Sequence, residues 1–112
     1  MDIIITVPKT TSWDTYKEEI ARCEEGEEVM NFKVPHLPKK TVTGDKCWVV
    51  YKGNILGYMI IVGFSDKPFV CSTTGIDYVG KFIQRSGRFY NLATPIPMRG
   101  FQGWRYFDIT KL

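Results

Sequence analysis

Two consecutive hydrophobic segments, residues 46–51 and 55–64, constrain the fold more than any other feature of this chain. Gly53 and Asn54 lie between them and favour a tight hairpin turn, because both residue types tolerate positive φ. Apolar side chains occupy both alternating sets of positions in each segment, whereas a sheet with one solvated face alternates polar and apolar residues. Burial on both faces predicts the wall of a barrel, with side chains filling its inside and a helix packed outside.

A helix is predicted over residues 12–23. Its apolar residues recur at steps of three and four, which places them on one face. They are Trp13, Tyr16, Ile20 and Cys23. We expect Trp13 and Ile20 to be buried against the barrel. Thr11 or Ser12 is expected to cap the helix, and Thr11 with the aspartate three positions later resembles a capping box.

Further short segments rich in β-branched or aromatic residues predict additional strands. They are residues 2–7, 68–72, 78–84 continued by 88–92, and 104–109. Pro35 ends the segment 29–34, and residues 35–45 are predicted to form a surface loop. The sequence contains no internal repeat and no interdomain linker. It therefore predicts a single domain over residues 1–112 of the α+β class, mainly β: a small, partly closed barrel of about six strands with one N-terminal helix.

Composition limits the class of protein. Hydrophobic residues make up 44% of the chain and charged residues 24%, which is typical of globular domains. No apolar run approaches the ~20 residues that a membrane-spanning helix needs. The first residues show no basic leader and no cleavage site. The three cysteines are odd in number and widely spaced, which favours a reducing compartment. We therefore expect a cytoplasmic protein with no membrane partner.

The net charge of +3 conceals an uneven distribution. Residues 1–30 hold three basic and eight acidic residues, a net charge of −5. Residues 31–112 hold twelve basic and four acidic residues, a net charge of +8. A strongly basic body attracts polyanions, above all nucleic acid. The alternative is a solvated surface whose charges happen to segregate.

The order of predicted elements resembles the PUA-like superfamily, particularly its EVE and ASCH branches. The resemblance rests on the Gly44-Asp45 turn into a hydrophobic strand, and on the hairpin into a strand with an early glycine, Gly57. The segment containing Asn31 and Phe32 is similar to the part of EVE domains where an asparagine and an aromatic residue line a nucleobase pocket. The likeness covers residues 2–64 and implies a PUA-like barrel that binds RNA, single strands or modified bases.

Catalysis is less well supported than binding. Residues 40–43 are similar to the Lys-x-x-Thr element of ASCH amidohydrolases that act on a modified nucleoside, but no glutamate follows Glu28 to act as the acid. His36 has no metal-ligating residue at suitable spacing. Cys47 and Cys71 lie in strand-like segments, where cysteine is usually a small core residue. We predict no catalytic residue, no metal and no cofactor, with the ASCH-like amidohydrolase as an alternative.

Basic and aromatic residues interleave in two C-terminal clusters, residues 81–91 and 98–107. Arginine binds phosphate through paired donors, and aromatic rings stack on bases. We predict a nucleic-acid pocket between residues 31–33 and residues 99–105. The alternative partner is a protein, as for an interaction or inhibitor module of a phage or mobile element. The predicted nucleic-acid-binding residues are Asn31, Phe32, Lys33, Lys39, Lys40, Arg85, Arg88, Tyr90, Arg99, Phe101, Trp104 and Arg105.

Overall fold

The structure is a computed structural model, and it describes residues 1–26, 29–67, 69–70, 75 and 77–112. Strands predominate, with one α-helix and one short 3-10 helix in the described part of the chain. In chain order the elements are β1 (Ile3–Thr6), α1 (Trp13–Glu25), β2 (Val29–Val34), β3 (Lys46–Tyr51), β4 (Asn54–Ser65), β5 (Phe69–Val70), β6 (Asp77–Tyr78), β7 (Lys81–Ser86), β8 (Tyr90–Pro97), β9 (Trp104–Tyr106) and the 3-10 helix Ile109–Lys111.

The main sheet has the order β2-β7-β4-β3-β1-β9, and β8 also pairs with β4. β7 and β8 follow one another along the same long strand, β7 beside its C-terminal half and β8 beside its N-terminal half. They therefore fill one position of a six-strand mixed sheet that curls into a half-barrel. β1 and β3 are parallel, while the other pairs are antiparallel. The predicted small, partly closed barrel with one helix is confirmed.

The hairpin of β3 and β4 forms where the sequence predicts it. Its turn is different in detail, because the positive φ angles belong to Lys52 (47°) and Gly53 (80°). Positive φ at both central residues suits a two-residue hairpin turn whose twist matches the strands. Asn54 is instead the first residue of β4 and pairs with Tyr51. The predicted use of Asn54 in the turn is therefore wrong by one position.

Each face of the sheet has its own hydrophobic cluster. The inner cluster joins buried residues of β1, β2, β3, β4 and β7 with Tyr16 and Ile20 of α1. The outer cluster is built on Ile4, Trp48, Val50, Ile55 and Phe107, and it is covered by Met98, Phe101 and Ile109 near the C-terminus. The predicted barrel wall, apolar on both faces, is confirmed. The helix does not lie outside as expected: it covers the open side of the half-barrel, and the C-terminal segment covers the outer face.

The helix α1 presents the predicted apolar face. Tyr16 and Ile20 are buried, and Trp13 and Cys23 are partly buried against the same cluster. Ser12 is the N-cap, but its side chain makes no capping hydrogen bond, so the predicted capping box is wrong. The start of the helix is held by tertiary contacts instead, because the Tyr51 hydroxyl donates to the Thr11 carbonyl over 2.6 Å.

The last predicted strands are partly corrected. The segment predicted as 104–109 forms strand only over β9, since Asp108 then begins a 3-10 turn by accepting a hydrogen bond from the Thr110 amide. The segment predicted as 78–84 is divided at Gly80, whose φ is 128°. The predicted strand 68–72 falls largely outside the described residues, which include only its centre, β5.

Candidate functional site

A cavity of about 510 Å³ opens where the curled sheet brings β1 and β2 towards each other beneath α1. These two strands are far apart in the order of the sheet, so the cavity exists only because the sheet curls. Its walls include Thr6 of β1, Tyr16 of α1, Phe32 of β2 and Arg85 of β7. The volume falls within the ~300–1,000 Å³ typical of small-molecule sites.

Arg85 is the most unusual residue of this cavity, because its side chain is only 2% exposed. Its Nη1 donates to the Tyr16 hydroxyl over 2.7 Å and lies 3.6 Å from the sulfur of Met59. The Phe32 ring centroid lies 5.7 Å from the guanidinium carbon. Burial by itself lowers the pKa of Arg85, but the neighbouring Tyr16 and Cys47 side chains raise it overall. Arg85 therefore carries a buried positive charge.

Cys47 lies beside this guanidinium and is completely buried. Burial raises the pKa of its thiol to about 11, and the nearby Arg85 only partly opposes that rise. A nucleophilic cysteine needs a thiolate near neutral pH. Cys47 is protonated there and has the structural role that its position in a hydrophobic strand predicts. Cys71 lies outside the described residues.

Two buried polar atoms at this cavity have no hydrogen-bond partner among the described residues. They are the Asn31 Oδ1 and the Arg85 Nε, and both residues line the cavity. Successive residues of a strand face opposite sides of the sheet, so the Asn31 side chain lies on the other face of β2 from Phe32. Buried polar atoms in folded proteins are almost always hydrogen-bonded to protein or to ordered water. On the cavity side, Arg85 therefore retains a donor whose hydrogen-bonding capacity the described residues leave unmet.

Three of the predicted binding residues come together at this cavity. The antiparallel register of β2 and β7 places Met30 opposite Arg85 and Asn31 opposite Gln84. The same pairing sets Phe32 next to the Arg85 guanidinium. Lys33 is exposed and does not line the cavity. The residues at the site are thus Asn31, Phe32 and Arg85.

The predicted C-terminal half of the pocket lies elsewhere. Arg105 extends over Phe101, with 4.3 Å between its guanidinium carbon and the ring centroid. Trp104 donates a hydrogen bond to the His36 carbonyl over 2.9 Å. None of these residues, nor Arg99, lines the cavity. The structure therefore leaves the predicted residues of the 99–105 segment outside the cavity wall, although the Phe101 amide donates to the hydroxyl of Thr6, which belongs to that wall.

A second group of basic and aromatic side chains lies on the outer face of the sheet. Tyr58 and Tyr90 stack with ring centroids 5.1 Å apart and planes 12° apart. The Arg88 guanidinium lies 5.0 Å from the centre of the Tyr90 ring, and the Lys46 ammonium lies 5.0 Å from that of Tyr58. Tyr58 also contacts Trp48. Trp48 is buried beneath this group, and we call its partly or fully exposed members, Lys46, Tyr58, Arg88 and Tyr90, the basic-aromatic surface.

Sequence reasoning identified Arg88 and Tyr90 in this surface but missed Lys46 and Tyr58. The missing signal was the hairpin register, which sets Tyr58 directly opposite Trp48. Tyr16 of the cavity was recognised only as a core residue. Nothing local to its segment indicates that its hydroxyl meets Arg85, which is 69 positions away in the chain.

The remaining predicted residues lie near the start of β3. Lys39 and Lys40 are exposed, and the Lys40 amide donates to the Tyr106 hydroxyl over 3.0 Å. Thr41, part of the ASCH-like element, is buried and donates its hydroxyl hydrogen to the Met1 carbonyl over 2.7 Å. The amino group of Met1 pairs with the Asp45 carboxylate at 2.6 Å and lowers the pKa of Asp45. The Thr41 hydroxyl and Asp45 therefore hold the N-terminal residue in place.

Comparisons with protein-family models, with curated proteins and with solved structures find no match. Within the described residues there is no group of three or more histidine, cysteine or acidic side chains placed to hold a metal ion. In the same part of the chain, α1 is neither long nor apolar enough to cross a bilayer, and no other helix is.

Proposed function

We propose that this protein is a small nucleic-acid-binding domain that accepts one base of a single strand, or a modified base, in the cavity beneath α1. The observation that carries the proposal is the composition of the cavity wall. Phe32 supplies an aromatic ring, and the buried Arg85 supplies a donor without a partner among the described residues. A nucleobase combines a flat face for stacking with an edge of donors and acceptors, which matches this set.

Each side chain has a distinct part in this proposal. Phe32 stacks on the base, since every base has a flat face. Arg85 donates to an oxygen of the ligand. The net charge of +8 over residues 31–112 and the basic-aromatic surface favour the phosphate backbone that accompanies a base. The resemblance of residues 2–64 to EVE-like domains supports the same function.

The test is to replace Phe32 by alanine and to measure the binding of labelled single-stranded oligonucleotides by fluorescence anisotropy at low salt. We expect the Phe32→Ala variant to lose ~1–3 kcal/mol of binding free energy, the usual contribution of one stacked base. Phe64→Ala is the matched control, because Phe64 also packs partly buried against the inner cluster but does not line the cavity. It should bind as wild type does.

Thermal melts of both variants separate a loss of binding from a loss of folding. A Phe32→Ala protein that melts normally and binds as tightly as wild type would show that the base does not enter this cavity. If wild type binds no oligonucleotide even at low salt, the nucleic-acid function itself fails. A protein partner then becomes the better explanation of the segregated charge.

A further inference from the structure

We propose that Arg85 forms an anion-binding subsite, so that the ligand of the cavity carries a phosphate or carboxylate group that contacts its guanidinium. The inference rests on the proposed function in that it concerns the same cavity, and it adds the charge of the ligand. It is carried by the burial of Arg85, by the absence of a carboxylate among its described partners and by its unpartnered donor.

The first step concerns charge balance. Arg85 is 2% exposed, and its polar contacts are the Tyr16 hydroxyl, the Cys47 thiol and the Met59 sulfur, none of which is a carboxylate. No carboxylate forms an ion pair with it among the described residues. A buried charge is costly unless it is paired, and buried arginines accordingly have anionic partners. The wall of this cavity therefore holds a positive charge that the described residues do not neutralise.

The second step concerns the other charged residues at the cavity. Glu19 and Arg22 also belong to its wall, both on α1 and both exposed. They carry opposite charges, so together they add no net charge to the cavity wall. Solvent screens both of them. The unbalanced charge in the cavity is consequently that of Arg85.

The third step concerns geometry. The Arg85 Nε is buried without a hydrogen-bond partner, and guanidinium groups bind oxyanions through pairs of such donors. The cavity volume of about 510 Å³ exceeds what an inorganic phosphate alone would fill. Phe32 lies beside the guanidinium and offers a ring to a flat group attached to the anion. A nucleoside monophosphate, or a base that bears a carboxylate, has this combination.

The test compares ligands that differ only in the anion. Isothermal titration calorimetry would measure the affinity of wild type for uridine 5′-monophosphate against uridine, for 5-carboxyuracil against uracil, and for inorganic phosphate alone. We expect the anionic member of at least one pair to bind roughly tenfold more tightly or better, because hydrogen bonds to charged groups are the strong ones. The pair that shows the preference identifies phosphate or carboxylate as the source of the anion.

Substitutions then test whether Arg85 causes the preference for the anionic ligand. Arg85→Met should abolish it while the melting temperature stays equal or rises, because no paired charge is left behind. Arg85→Lys keeps the charge and should retain part of the preference. Arg105→Met removes an exposed arginine outside the cavity and should leave the preference unchanged.

Equal affinity for the charged and uncharged member of both pairs would overturn the subsite, as would a full preference in a folded Arg85→Met protein. If Arg85→Met does not fold, the wild-type comparison and Arg85→Lys still decide. The two proposals fail separately. If uridine and its monophosphate bind with equal, measurable affinity, the anion-binding subsite is overturned while the base-binding cavity is supported. If only inorganic phosphate binds, and Phe32→Ala does not change its affinity, the anion-binding subsite is supported while the binding of a base in the cavity is overturned. If no probe binds, the subsite is overturned, and the oligonucleotide titration alone decides the base pocket.

Discussion

The Cys47 side chain is completely buried in β3 and lies beside the Arg85 guanidinium. A thiol without access to water ionises less readily, because burial disfavours the charged form. The nearby positive charge opposes this effect only in part.

This burial makes a prediction about pH. The pKa of the Cys47 thiol is raised from its ordinary 9.0 to about 11, so the folded protein holds this proton more tightly than the unfolded chain does. The resulting stabilisation is fully present below pH 9 and is lost as the pH rises towards 11. It amounts to about 2–3 kcal/mol at most.

The measurement is urea unfolding of wild type and Cys47→Ala at pH 7 and at pH 10.5. The comparison with Cys47→Ala subtracts the effects of pH that do not depend on the thiol. Wild type should lose more stability than Cys47→Ala between the two pH values. Equal losses would mean that the thiol is not protected as the structure indicates.

At the scale of the elements, local sequence patterns predict the helix and the hairpin correctly, but they do not predict which distant segments pair. The hairpin of β3 and β4 and the apolar face of α1 follow from periodicity and turn residues in adjacent positions. The parallel pairing of β1 with β3 joins segments more than 40 positions apart, and no local pattern indicates it. The side of the sheet on which α1 packs is equally non-local, because both faces of the hairpin are hydrophobic.

Gly57 in β4 provides a prediction at this scale. A Cβ at this position would overlap the carbonyl oxygen of Tyr90 and lie 2.7 Å from the Phe89 ring. The glycine therefore permits β8 to pair with β4. Because the obstructing atom is backbone, Gly57→Ala should cost about 3 kcal/mol or more, at the upper end for an overpacked site.

Gly53→Ala is the control for this prediction. Gly53 has open space around its Cβ direction and only a positive φ of 80°, so alanine there should cost about 1 kcal/mol. Urea unfolding compares the two variants. If Gly57→Ala is no less stable than Gly53→Ala, then β8 does not depend on the close approach at Gly57.

For the whole molecule, the candidate site was predicted in part. Asn31, Phe32 and Arg85 were all predicted, and the pairing of β2 with β7 unites them at the cavity. Arg99 and Arg105 were predicted to face them, but charge and aromatic content do not indicate which strand edge a segment will join. The cavity itself depends on the curl of the sheet, which is a property of the complete fold.

The cavity and the basic-aromatic surface lie on different faces of the sheet, and the segment between β7 and β8 connects them. Gly87 lies directly against the backbone of Cys23 and Glu24, near the end of α1 that borders the cavity. Arg88 follows at once and extends over Tyr90 on the outer face. A single-stranded nucleic acid with one base in the cavity would pass the segment between β7 and β8 and reach the basic-aromatic surface.

This path makes a prediction about salt. Arg88→Ala combined with Lys46→Ala should weaken oligonucleotide binding and flatten the plot of log affinity against log salt by about 0.7 for each phosphate that the protein no longer neutralises. Lys17→Ala is the control, since Lys17 is an exposed cation on α1, within the acidic part of the chain. Anisotropy titrations from low to moderate salt give the slopes. An unchanged slope in the double variant would place the backbone elsewhere, whereas a reduced slope with the Phe32 effect preserved would show that the cavity and this surface act on one strand.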